Sequence, residues 1–225
     1  MTSSDPSQVI WTPIDTNRLG RARGGRRTAL GAGVAALLTL TLAGVGWGLS
    51  GNSSEADVPP VLGVDAPHTR AGAQSAAAAM AAALGGERMY RTGSRRALLQ
   101  EIVPPDQPEM ISRYDSQYAA FAARIGLDTH GRPPAGATLV SRTMPAGTTV
   151  RSYTGRTASV DVWCSSLFGL TGKGIEDPEP VGSSWLTITL DLAWTPEGWR
   201  MTDSDQRDGP QPSDAGVDAG AAPQL

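Results

Sequence analysis

Two histidines, one cysteine, two mid-strand aspartates and one glycine-rich segment are the residues of this chain whose types suit chemistry. His68 stands in a Pro-His-Thr sequence and His130 in Asp-Thr-His-Gly-Arg. Two imidazoles so far apart make a metal site only with carboxylates at ligand spacing, and no such spacing occurs. Cys164 is a nucleophile only beside a base. It falls among Val and Ala on the inward side of a predicted strand, where cysteine serves as a small apolar residue. The segment Gly169-Leu-Thr-Gly172-Lys173-Gly174 hints at phosphate binding. A phosphate loop needs another Gly five residues before the Gly of its Gly-Lys pair, and Ser or Thr after the Lys. Leu167 and Gly174 occupy those positions, so the motif fails. Asp161 and Asp191 each lie mid-strand on a polar side. Against apolar walls a carboxylate becomes a general base; facing solvent, or paired with Arg142 or Arg151, it does not, and the pairing is the expectation here. The sequence thus assigns no catalytic residue, no cofactor and no metal ligand.

Aromatic residues offer a different chemistry, that of contact. Trp163 and Trp185 fall on the wetter side of two predicted strands. Exposed indoles there mark a possible contact surface, or support the rear of the helices. The formal net charge is −3, and residues 1–27 hold five Arg against Asp5 and Asp15. The rest of the chain is therefore more acidic than the total suggests, which disfavours nucleic acid as a partner. Arg supplies all but one of the basic residues, Lys173 being the exception, and Ala-rich runs accompany it. That bias suggests a GC-rich bacterial coding sequence. One cysteine excludes an internal disulfide, so the domain must be held by its own core.

Residues 28–50, TALGAGVAALLTLTLAGVGWGLS, contain no charged side chain. At about 1.5 Å per residue they cover roughly 34 Å, enough for a hydrocarbon core of about 30 Å. Arg18, Arg21, Arg23, Arg26 and Arg27 precede them and fix the topology: N-terminus cytoplasmic, residues 51–225 extracytoplasmic, one pass through the plasma membrane. A cleaved secretory signal has a shorter apolar core and an A-x-A-like cut site. The pair Arg26-Arg27 keeps a twin-arginine export signal open as the rival reading, with Ala29 at its phenylalanine-like position. The lack of a nearby Cys excludes a lipoprotein. Small residues at Gly44 and Gly48, and at Gly31 and Ala35, are spaced for helix pairing, so self-association is open.

The elements that must carry these residues follow from periodicity. Residues 1–27 read as a disordered basic tail, 51–67 as a Pro/Gly linker, 68–207 as the folded domain and 208–225 as a disordered C-terminal tail. A first helix is predicted at 69–85, capped by Thr69, with Ala73, Ala76, Ala77, Met80 and Leu84 inward. So much alanine requires another backbone packed closely on it. A second helix is predicted at 95–103 with Ser94 as cap and Pro104-Pro105 as stop. A third begins near Asp106, with Glu109 completing a capping box, and buries Tyr114, Tyr118, Phe121 and Ile125. The period then becomes two, predicting strands at 138–145, 148–154, 157–166, 184–194 and 199–204. A long exposed loop is expected at 169–183. Short turns make the sheet antiparallel. The fold class is α+β: an N-terminal transmembrane helix, then three helices packed on a curved antiparallel sheet.

The strings Pro67-His68-Thr69-Arg70-Ala71-Gly72-Ala73, Val140-Ser141-Arg142-Thr143, Val162-Trp163-Cys164 and Trp185-x8-Trp194-x5-Arg200-Met201-Thr202-Asp203 occur in that order. Together they resemble a family of actinobacterial integral membrane proteins found among genes for conjugation-type transfer. The architecture is also similar to the single-span assembly subunits of type IV secretion machines, whose outer domain has the cone-shaped fold of the nuclear-transport-factor family. The resemblance implies a scaffold with the lipid bilayer and other membrane or envelope proteins as partners, and a possible homo-oligomer. It brings no catalytic residue. Enzymes of that cone fold, such as ketosteroid isomerases, use an Asp base and a Tyr donor, a pair not matched here. A ligand-binding or enzymatic cone is the alternative, and it requires an open interior at Met110, Tyr114, Phe121 and Trp194.

Overall fold

The alanine run after Thr69 makes a helix because Ala loses no side-chain entropy there and Thr69 caps it. In the computed structural model, which describes residues 62–173, 175 and 181–214, α1 spans Arg70–Leu84, and Thr69 Oγ1 accepts from Gly72 N at 3.0 Å. Its predicted inward stripe is buried throughout. The close backbone that so much alanine requires is that of Gly63: a Cβ placed there would lie 2.8 Å from Ala76 Cα. A 3₁₀ turn at Glu87–Tyr90 leads into α2, Thr92–Ile102, and α3 follows at Pro108–Arg124.

The caps predicted for the last two helices are corrected. α2 starts before Ser94, after Arg91, and α3 starts after Gln107; neither has a side-chain cap. Pro108 sets the start of α3 instead, because its ring fixes a helical φ and its missing N–H needs no partner there.

Four strands follow, not five. β1 spans Ala137–Tyr153, β2 Thr157–Gly172, β3 Gly182–Thr195 and β4 Gly198–Asp208, in one antiparallel sheet of that order. The break predicted between strands 138–145 and 148–154 is a register shift within β1, which stays paired to β2 on both sides of it. Proline lacks a ladder donor, and an irregularity accommodates that without ending the strand. The loop expected at 169–183 is shorter, because Ala137 to Val140 pair with Gly169 to Gly172 and prolong β2.

The helices cover one face of the sheet. Met80, Leu84, Leu99, Ile102, Tyr114 and Tyr118 meet Val160, Val162, Leu190 and Met201 in one apolar core. Buried hydroxyls are satisfied within it: Tyr118 donates to Leu84 O at 2.7 Å, and Tyr114 pairs with Ser204 at 2.5 Å. Among the described residues no buried side-chain polar atom lacks a partner.

Residues 62–67, read as the end of a free linker, belong to the packed domain. Leu62 is buried, Trp199 N donates to Val64 O at 2.8 Å, and Trp199 Nε1 donates to Pro67 O at 3.1 Å. His68 continues this strap. Its ring lies parallel to Trp194 at 4.1 Å, and its Nε2 is hydrogen-bonded to Gly155 O. The described part of the predicted C-terminal tail, 208–214, also departs from expectation: Asp208 closes β4 and Gly209 is bonded to β3. The tail 1–27, the apolar stretch 28–50 and its five flanking arginines lie outside the described residues, as do 51–61 and 215–225. Among the described residues no helix is long and apolar enough to cross a membrane.

Candidate contact surface

Strand alternation sends every second residue to the face away from the helices. On β2 these are Asp161, Trp163 and Ser165; on β3, Trp185, Thr187 and Thr189. Trp163 sits opposite Thr187 and Trp185 opposite Ser165, so the two indoles are diagonal neighbours. Their rings stack with centroids 4.4 Å apart and planes 27° from parallel. A diagonal pair lies within reach of aromatic side chains, and such a stack contributes about 0.5–1.5 kcal/mol beyond its buried area. Ser165 also pairs with Met144 of β1, which places Met144 in the same row. Met144 is 48% exposed, one of two large apolar side chains exposed among the described residues. The structure therefore brings the two predicted contact residues, Trp163 and Trp185, into one cluster, half-buried and beside Met144.

Met144 was missed because it lies next to Pro145, where a turn was expected; continuous alternation through 138–145 was the available signal. The Gly209–Pro210 step, whose peptide bond is cis, was also missed. Trp163 Nε1 donates to Pro210 O and Thr187 Oγ1 donates to Gly209 O, both at 2.8 Å. Nothing in a Gly/Pro-rich composition marks such a segment as bound.

Next to the indoles the same face holds an ionic cluster. Asp161 accepts from Thr189 Oγ1 at 2.7 Å and from Arg207 at 2.8 Å, with Arg151 at 3.7 Å. Partial burial works to raise its pKa. The hydrogen bonds from Arg207 and Thr189 and the two guanidinium charges outweigh that and hold it below the usual carboxylate range. Such a carboxylate is a poor base, so Asp161 follows the pairing expectation, with Arg207 joining Arg151. Asp191 is solvent-exposed.

The remaining chemical candidates are scattered. Cys164 is fully buried, and burial pushes its thiol up to about 12. His130 lies in a turn organised by Asp128, which accepts from His130 N at 2.8 Å and Arg132 N at 2.9 Å. His68 belongs to the strap, at the opposite end of α1 from Gly85. Among the described residues no group of three or more His, Cys, Asp or Glu is placed to hold a metal ion. Met110, Tyr114 and Phe121 are buried in the apolar core, and Trp194 packs against it.

No protein-family model matches the sequence, and no curated protein matches it. Solved structures similar to this chain include two. One is the intermembrane space region of the chloroplast protein ARC6, at 18% identity over 59% of this chain and 88% of that one, with a TM-score of 0.35. The other is CagV, a VirB8 homologue of the T4SS from Helicobacter pylori strain 26695, at 10% identity over 61% of this chain and 98% of that one, with a TM-score of 0.40.

Proposed function

We propose that this chain is a membrane-anchored scaffold or assembly subunit, held by residues 28–50, whose outer domain makes protein contacts on the extracytoplasmic side. The observation that carries the contact role is the Met144, Trp163 and Trp185 cluster on the sheet face that the helices leave uncovered. Aromatic side chains and Met are enriched where proteins meet, and the indole rings bury much area with few rotors to fix. The anchor rests on the charge-free stretch and its five preceding arginines. Assembly within a conjugation or secretion apparatus is what the ordered strings and the architecture imply. Other membrane or envelope proteins are the partners, with a second copy among them, and no reaction is assigned.

The test is expression of the full chain with an N-terminal tag in a bacterial host. Retention of intact chain in carbonate-washed membranes, with the tag protected from external protease and the domain accessible to it, supports the reading. Release of a soluble product that lacks residues 1–50 supports the twin-arginine rival and rejects the anchor.

A further inference from the structure

Thr187 is only 3% exposed although its side chain points away from the helices. Trp163 and Arg207 flank it on the neighbouring strands, and the segment beyond β4 is hydrogen-bonded to it. Gly209 N donates to Trp185 O, Thr187 Oγ1 donates to Gly209 O, and Trp163 Nε1 donates to Pro210 O, each at 2.8 Å. Gln211 N then donates to the Asp214 carboxylate at 2.7 Å, turning the segment back on itself. The side chains of the face thus offer two donors, aimed at two consecutive carbonyls. Proline supplies a carbonyl and no N–H, so at Pro210 the segment presents only what the face can take. The indole N–H is a donor with no acceptor function, which makes the match directional.

We propose that Trp163, Trp185 and Thr187 form a binding site for a Gly-Pro-containing peptide segment, and that residues 209–214 are its resident ligand. A Gly-Pro segment of a neighbouring protein carries the same two acceptors and displaces the resident one. This deepens the contact-face reading and rests on it. The displaced state exposes the indole pair, so partner binding exchanges one segment for another on the same donors.

The test uses the full chain in detergent and a fluorescein-labelled peptide with the sequence of residues 208–214. Gly209 has φ +65°, which a β-branched side chain strongly disfavours, so Gly209→Val lifts the resident segment. The peptide should bind the Gly209→Val chain at least tenfold more tightly than the natural chain. Trp163→Phe in that background keeps a ring but removes the donor, and should weaken binding at least fivefold. Equal binding by the two chains, or no effect of Trp163→Phe, overturns the proposal. An independent arm needs no released variant: in the otherwise natural chain, Trp163→Phe should speed hydrogen exchange of the Gly209 amide at least tenfold, and an unchanged rate overturns it. Loss of peptide binding while residue 144 still crosslinks to membrane partners would reject the ligand class and leave the contact face standing.

Discussion

Arg95 of α2 donates from Nε to Asp115 of α3 at 2.8 Å, although the Arg95 side chain is only 2% exposed. Its Nη1 donates to Met89 O at 2.8 Å, and its guanidinium carbon lies 5.9 Å from the centre of the Tyr118 ring. One buried cation therefore ties α2, α3 and the 3₁₀ turn together. Arg96 reaches the other oxygen of Asp115 at 2.7 Å, but from the surface. Arg95→Ala should destabilise the chain by about 2–3 kcal/mol, since it strips charged hydrogen bonds and opens a void. Arg96→Ala should cost less than about 1 kcal/mol, because solvent screens an exposed pair. Urea unfolding in detergent distinguishes them; equal losses would contradict this assignment.

Acid should weaken the fold through Asp115 and Asp161. For Asp115, as for Asp161, burial raises the pKa but hydrogen bonds and charge from the arginines lower it further. A carboxyl with a depressed folded pKa contributes fully above its unfolded value of about 3.9 and loses that contribution as pH falls through the folded one. Urea midpoints should hold near neutral pH and drop below about pH 4, with Asp161→Asn removing part of the slope. An identical acid slope in that variant would contradict the role given to Asp161.

Alkali should act through Cys164. Burial raises the thiol to about 12, so its contribution is whole below the unfolded value of about 8.5 and is lost as pH climbs toward the folded one. Cys164→Ala should flatten the loss between those values relative to the natural chain. The native thiol should react with a disulfide reagent only as fast as the domain opens, because the thiolate is the reactive form. Rapid labelling of folded protein would contradict its burial.

Gly198 closes the β3–β4 turn with φ +106°, and a Cβ there would lie 1.9 Å from Val64 O. Both the conformation and the contact oppose a side chain. Gly198→Ala should cost at least about 2 kcal/mol and loosen residues 62–67, read as faster hydrogen exchange at Trp199 N. A neutral substitution would contradict the packed strap.

Much of this fold was legible because it is local. Alanine content, the Thr69 cap and the two-residue period after residue 138 each report nearest-neighbour physics, and α1 and the sheet follow from them. The long-range partners were not legible. Pro145 looked like a turn because its missing donor is a local fact, while the pairing that carries β1 past it is not. Leu62 to Pro67 and Gly209 to Pro210 looked like linker and tail because Gly and Pro resemble loops, whether free or bound. Trp163 and Trp185 could be placed on one face by alternation, but their stacking depends on the β2–β3 register. Met144 joins them through the β1–β2 register in the same way.

A sheet face that meets other proteins at the membrane must bring Met144 within crosslinking reach of them. The direct measurement places a photo-crosslinking amino acid at Met144 in the full chain, and a control at Ala120, exposed on the helical layer. Irradiation of intact cells should give discrete crosslinks to membrane proteins from residue 144. Trp185→Ala should reduce these, and position 120 should give far fewer. Equal or absent crosslinking from residue 144, with the chain intact in the membrane, would contradict a contact role for this face.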